Sequence, residues 1–241
     1  MQLYFIRHGQ SENNALWTRT GSSDGRVSDP ALTEVGERQA ELVARFLARS
    51  GVGELAPEWD PQNVSGFEIT HVYSSLMERA VATGHEIAQA LNLPLRGWLD
   101  LHETGGMFLY DEETDTHVPQ PGKSRSYLET HFPRIVLPET VTEEGWWNRP
   151  FEPREARMPR AQRVLEELLV RHSGTDHGVI LVSHGGFFNY LLRAVFGLPA
   201  PVNGPWFTAN NASITRLDFI DGERTVMYVN RVDFLPADLI T

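Results

Sequence analysis

Short apolar runs that alternate with helix-period segments constrain this chain more than any other feature. Leu3–Ile6, the run inside GFEITHVYSS (66–75) and HGVILVS (177–183) are too short and too apolar for surface helices. Each precedes a stretch of helical spacing. LTEVGERQAELVARFLARSG (32–51) carries Thr33 as N-cap, Leu42, Phe46 and Leu47 on one face and Gly51 as its stop. MERAVATGHEIAQALNL (77–93), RAQRVLEELLVRH (160–172) and HGGFFNYLLRAVFG (184–197) read the same way. Such alternation predicts a three-layer α/β fold: a mostly parallel sheet with helices on both faces. ASITRLDFI (212–220) and TVMYVNRV (225–232) predict a closing hairpin around Asp221-Gly222-Glu223. Residues 9–17 fit either helix or loop, and the Gly/Ser/Asp-rich 18–30 predicts a loop. Periodicity fades over about 100–158, which reads as an insertion covering the carboxyl end of the sheet. A structureless loop of that length is improbable, so short helices are expected around 124–132 and 140–148. The 241 residues suit one domain, 1–241, with 100–158 as a lid-like insertion within it.

Composition narrows the function classes. The net charge of -11 argues against a nucleic-acid partner, although a few converging arginines can still make one pocket positive. With no cysteine there is no disulfide frame, thiolate metal site or cysteine nucleophile. No run approaches the ~20 apolar residues of a membrane span, and no signal-type segment precedes the first strand. The expectation is a cytoplasmic protein without a membrane partner; the sequence leaves the oligomeric state open.

In open α/β sheets, ligands bind beyond the carboxyl ends of the strands. The first run ends on Arg7-His8-Gly9. The second ends on Ser74-Ser75, with Arg79 in the next helix's first turn, and the late run ends on Ser183-His184-Gly185-Gly186. A lone histidine at a strand end is usually a capping or core residue, and a lone first-turn arginine is usually solvated. Three such ends together point to a pocket for a doubly charged anion. Arginine is a permanently charged fork matched to phosphate oxygens. Neutral imidazole can attack phosphorus when its second nitrogen is held by an acceptor. Glycines admit close backbone approach, and helix N-termini direct N–H groups at an anion. Such a pocket stabilises a transferring phosphoryl group without a metal or other cofactor, so turnover should survive a chelator.

FIRHGQSENN, LTEVGERQA, YSSLMERAVATG and LVSHGG, in this order, resemble the histidine phosphatase (phosphoglycerate-mutase-like) superfamily. The resemblance runs from residue 3 to about 103 and from 160 to about 216. It implies that His8 accepts the phosphoryl group and that Arg7, Arg79 and His184 clamp it, with Gly185 beside them. It implies Asn14 as a further phosphate ligand and Glu103, in LDLHETGG, as the proton donor to the leaving oxygen. Asp100 and Asp111 are the alternatives for that donor. The expected partner is a small phosphorylated metabolite.

Branches of this family share the first half-reaction and differ in the acceptor. The run after the second helix reads LHETGGMF, not the mutase pattern, and the insertion offers chiefly Lys123, Arg125, Arg134 and Arg149 to hold a second phosphate. Phosphomonoester hydrolysis is therefore expected, with mutase-type transfer as the alternative and a non-catalytic phospho-ligand binder as the second. Trp146, Trp147, Phe108 and Tyr110 fit either a lid that meets an apolar or ring-shaped leaving group or a small core within the insertion.

Overall fold

The computed structural model describes residues 1–49, 59–201 and 206–241; Gly51, the expected helix stop, lies outside them. Its strands are β1 (Gln2–Arg7), β2 (Ile69–Ser74), β3 (Leu95–Gly97), β4 (Phe108–Asp111), β5 (Thr116–Pro119), β6 (Ile135–Val136), β7 (Gly178–Ser183), β8 (Ile214–Ile220) and β9 (Glu223–Arg231). Its helices are α1 (Glu12–Thr20), α2 (Glu34–Leu47), α3 (Glu78–Ala90), α4 (Arg125–His131), α5 (Arg154–His172) and α6 (Gly185–Phe196). The main sheet runs β6–β3–β2–β7–β1–β8–β9. Pairing is parallel from β6 to β1 and antiparallel through the closing β8–β9 hairpin.

Period-2 alternation sorts the side chains of the central strands onto two faces. Tyr4, Ile6, Ile180 and Val182 join Val43, Leu47, Val81 and Ile87 of α2 and α3. Leu3, Phe5, Val179 and Leu181 join Val164, Leu168, Phe187 and Leu191 of α5 and α6. The three strands that carry the motif ends are neighbours, with β7 between β2 and β1. Register aligns Arg7 with Ser183 and Ser74 with Val182, so the residues that follow emerge side by side.

Residues 9–17, which fit helix or loop, are helical from Glu12 on: Ser11 caps α1 in a reciprocal box with Asn14. The insertion differs more from expectation. α4 forms within 124–132, but 140–148 is no helix. There Thr142 and Gly145 close a tight turn, and Gly145 sits at φ 115° against the Pro121 carbonyl. A short two-stranded sheet, β4–β5, precedes it, its turn capped by Asp111 Oδ1 accepting from Glu113 N and Thr114 N. β6 extends the main sheet. α5 begins at Arg154, several residues earlier than its apolar spacing indicates, with Pro159 inside it. Trp146 and Trp147 are buried in the main core.

Candidate active site

His8 follows the last residue of β1 and is 3% exposed. Its Nδ1 lies 2.6 Å from Gly9 O, an atom that can only accept, so Nδ1 carries the proton and Nε2 is the bare nitrogen. Arg79 Nε donates to that Nε2 at 3.1 Å. Burial, then Arg79 and Arg7, pull the His8 pKa well below the ordinary histidine value, so the ring is neutral. His184 stands beside it, with ring centroids 5.0 Å apart, and its Nε2 meets Ser75 Oγ at 2.9 Å. Burial and then Arg79 hold His184 neutral as well.

Backbone placement explains the motif residues around these two. Thr83 Oγ1 accepts Gly9 N at 3.0 Å and donates to Arg79 O at 2.8 Å, tying α3 to the end of β1. A Cβ on Gly9 would lie 2.4 Å from Gly36 O, so the close approach of β1 to α2 excludes any side chain there. Arg7 Nη1 donates to Ala209 O at 2.6 Å. Arg7 Nε, Arg79 Nη1 and His184 Nδ1 are buried and make no hydrogen bond with the described residues. Unfilled capacity of this kind around one cleft is what an anion site requires.

Glu103 lies on the N-terminus of α6. Its carboxylate accepts from Gly186 N at 3.0 Å and from Phe187 N at 2.9 Å, as well as from its neighbour Thr104 N. A Cβ on Gly186 would fall 2.4 Å from Glu103 Oε1, so that glycine makes room for the carboxylate. At Gly185 a Cβ would meet Arg7 only at ordinary contact distance. Asn14 Oδ1 is saturated by Ser11 N, Ser11 Oγ and Asn211 Nδ2, which leaves its NH2 to face the cleft.

These residues line one open cleft of about 440 Å³. It contains Arg7, His8, Asn14, Arg79, Glu103 and Gly185; His184 stands directly behind His8. Asp100 and Asp111 do not line it: Asp100 pairs with Arg149 at 3.1 Å, and Asp111 caps its turn. Nor do Trp146, Trp147, Phe108 and Tyr110. The aromatic side chains lining it are instead Phe207 and two tryptophans, Trp17 and Trp206, both more than half exposed. Sequence reasoning also missed Arg26, a third cleft arginine, whose guanidinium lies 4.6 Å from the Phe108 ring centroid. Asp29 was missed too. Its carboxylate lies 3.9 Å from Arg79 and accepts Glu78 N, and burial raises its pKa to about 6. Both belong to the Gly/Ser/Asp-rich loop, where no periodicity marks one residue above another.

A family model described as the histidine phosphatase superfamily (branch 1) matches residues 3–56 and 60–232. A curated relative, the "probable phosphoglycerate mutase GpmB" of Yersinia pestis (strain Pestoides F), is 29% identical over 221 residues, 91% of this chain and 85% of that protein. Among solved structures, a putative alpha-ribazole-5'-P phosphatase from Escherichia coli superposes with a TM-score of 0.60 at 19% identity, covering 96% of this chain and 97% of that one. A phosphoserine phosphatase mutant from Entamoeba histolytica, in complex with phosphoserine, does so with a TM-score of 0.59 at 18% identity, covering 98% and 99%. At such identities the structures speak for the fold, while the family match spans nearly the whole chain. The chain is a member of the histidine phosphatase superfamily.

Proposed function

We propose that the protein hydrolyses a small phosphomonoester through a phosphohistidine on His8. The neutral, oriented His8 ring beside the buried Arg79 and the half-buried Arg7 carries this reading. Nε2 attacks phosphorus as the bond to the leaving oxygen breaks, and Glu103 gives that oxygen a proton. Water then attacks the phosphohistidine and Glu103 takes its proton. The P–N bond breaks, and phosphate and free His8 result. Arg7, Arg79, His184 and Asn14 hold the equatorial charge in both steps. Gly185 admits the phosphoryl group beside Arg7. Trp17 and Trp206 at the mouth favour a leaving group with a flat or apolar face. Within this single domain, the 100–158 segment serves the site by carrying Glu103 and by backing Arg26 with Phe108.

Rapid quench with a labelled phosphomonoester should trap an acid-labile, base-stable adduct that His8→Ala abolishes; undiminished labelling in that variant removes the assignment. Glu103→Gln should slow an alkyl phosphate about 100-fold or more and spare p-nitrophenyl phosphate, whose leaving group departs without a proton. The name of the Yersinia relative favours a second reading, phosphoryl transfer between hydroxyls of a phosphoglycerate. Release of inorganic phosphate, against formation of an isomeric monoester, separates the two.

A further inference from the structure

At the opposite end of the sheet, where the parallel strands begin, three imidazoles meet. His71 lies in β2, His172 is the last residue of α5, and His177 directly precedes β7. Their ring centroids are 4.6, 4.7 and 5.3 Å apart, and one ring nitrogen from each lies within 4.8 Å of the other two. Among the described residues, no carboxylate joins the cluster.

From this geometry we propose a site for a divalent transition-metal ion, held by His71, His172 and His177. Imidazole nitrogens suit zinc, copper or nickel, at metal–nitrogen distances of about 2.0–2.1 Å. Such bonds put tetrahedral ligands roughly 3.3 Å apart. The Nδ1 atoms of His172 and His177 already face each other at 3.0 Å. The remaining adjustment is rotation of His71 or His177, both half-buried.

Three further features orient the rings. Tyr73 OH meets His172 Nε2 at 3.1 Å, and a proton on that nitrogen leaves Nδ1 as the ligand, the usual arrangement of a metal-bound histidine and its supporting partner. Thr70 Oγ1 meets His71 Nδ1 at 2.8 Å, which leaves Nε2 for the metal. The register of β2 against β7 shifts between Ile69 and His71, a bulge of the kind that re-aims a side chain. The loop from His172 to His177 is held as well: Thr175 Oγ1 donates to His172 O and accepts His177 N, and Gln2 N donates to His177 O. With His71 and His177 half-buried, water can reach the cluster to supply a fourth ligand. A metal here joins three chain segments far from the phosphate pocket and takes no part in the proposed chemistry.

The test uses the full chain stripped with a chelator and then titrated with Zn2+, followed by calorimetry and thermal unfolding. One ion should bind and raise Tm. His177→Ala should weaken binding at least tenfold and abolish the Tm rise while keeping phosphatase activity. His71→Ala, a second rim variant, should do the same. His8→Ala should bind zinc like the wild type, which separates this site from the pocket histidines. Cobalt in place of zinc should give a visible spectrum that His177→Ala loses. Absence of stoichiometric binding, or equal affinity in wild type and both rim variants, overturns the proposal and leaves the cluster as a histidine hydrogen-bond pair.

Discussion

At the residue scale, Gly186 decides where the Glu103 carboxylate sits. The Ser-His-Gly-Gly turn places two glycines in succession, but their surroundings differ. The Gly186 Cα faces the Glu103 carboxylate, with Thr104 Oγ1 2.8 Å from where a Cβ would stand. Gly186→Ala must push Glu103 off the α6 amides. It should therefore mimic Glu103→Gln, with turnover of an alkyl phosphate falling about 100-fold and p-nitrophenyl phosphate largely spared. Gly185→Ala should leave the ratio between the two substrates at its wild-type value, because its Cβ approaches Arg7 and not Glu103. If both substrates slow equally in Gly186→Ala, Glu103 positions and does not donate. The convergence of Arg7, His8, Arg79 and His184 was legible because they follow the ends of neighbouring strands; Asn14 and Glu103 were reached only through the family resemblance, and the fold brings them to the same cleft. Gly186 reads only as a turn glycine, since its constraint comes from a side chain 83 residues away.

At the element scale, α5 holds the loop that carries Glu103. Arg160 is almost fully buried and forms a bidentate pair with Glu152 at 2.6 and 2.8 Å. The same guanidinium donates to Asp100 O and His102 O, and Glu152 Oε2 accepts Gly105 N. Both flanks of Glu103 are thus fixed by one buried ion pair. Removing one partner strands a buried charge, so Arg160→Met should lower stability by roughly 3–5 kcal/mol in urea unfolding. Adding Glu152→Gln should restore a good part of that loss, because no uncompensated carboxylate remains. A double variant no more stable than the single would mean the pair contributes through packing alone. Its effect on turnover should again be larger for alkyl phosphates. This support was hidden from the sequence. Pro153 and Pro159 make FEPREARMP read as irregular, yet α5 runs through it. The 140–148 segment misled in the other direction: the length of the irregular stretch argued for a helix there, but Thr142 to Gly145 form a tight turn and Trp146 and Trp147 are buried just after it. The core strands were legible because burial on both faces leaves continuous apolar runs; β4 is short and only half-buried and β5 is exposed, so neither stands out from the irregular stretch around it.

At the scale of the whole molecule, buried neutral histidines set the response to acid. Burial, first among the causes, pulls His8, His102 and His184 well below the usual value and His172 to about 4. His8 and His184 face Arg79, and His102 faces Arg160 and Arg149. Near pH 6.5 and below, the unfolded chain takes up protons at these positions and the folded chain does not. Stability is therefore complete above that pH and falls as pH drops, by up to about 1.4 kcal/mol per pH unit for each such histidine. Asp29 acts in the opposite sense. Its folded pKa of about 6 lies above the ordinary carboxyl value, so the folded state holds a proton that the unfolded state has lost. Its contribution is full at low pH and is lost as pH rises through 6. Four histidines outweigh one aspartate, so the urea midpoint of the metal-free protein should fall from pH 7 to pH 5. His102→Gln should flatten that fall by about one proton's worth, whatever it costs at pH 7. Asp29→Asn should steepen it by about the same amount, because the opposing proton is gone. Unfolding curves of the two variants that run parallel to the wild type across this range would show that neither group titrates as its burial dictates.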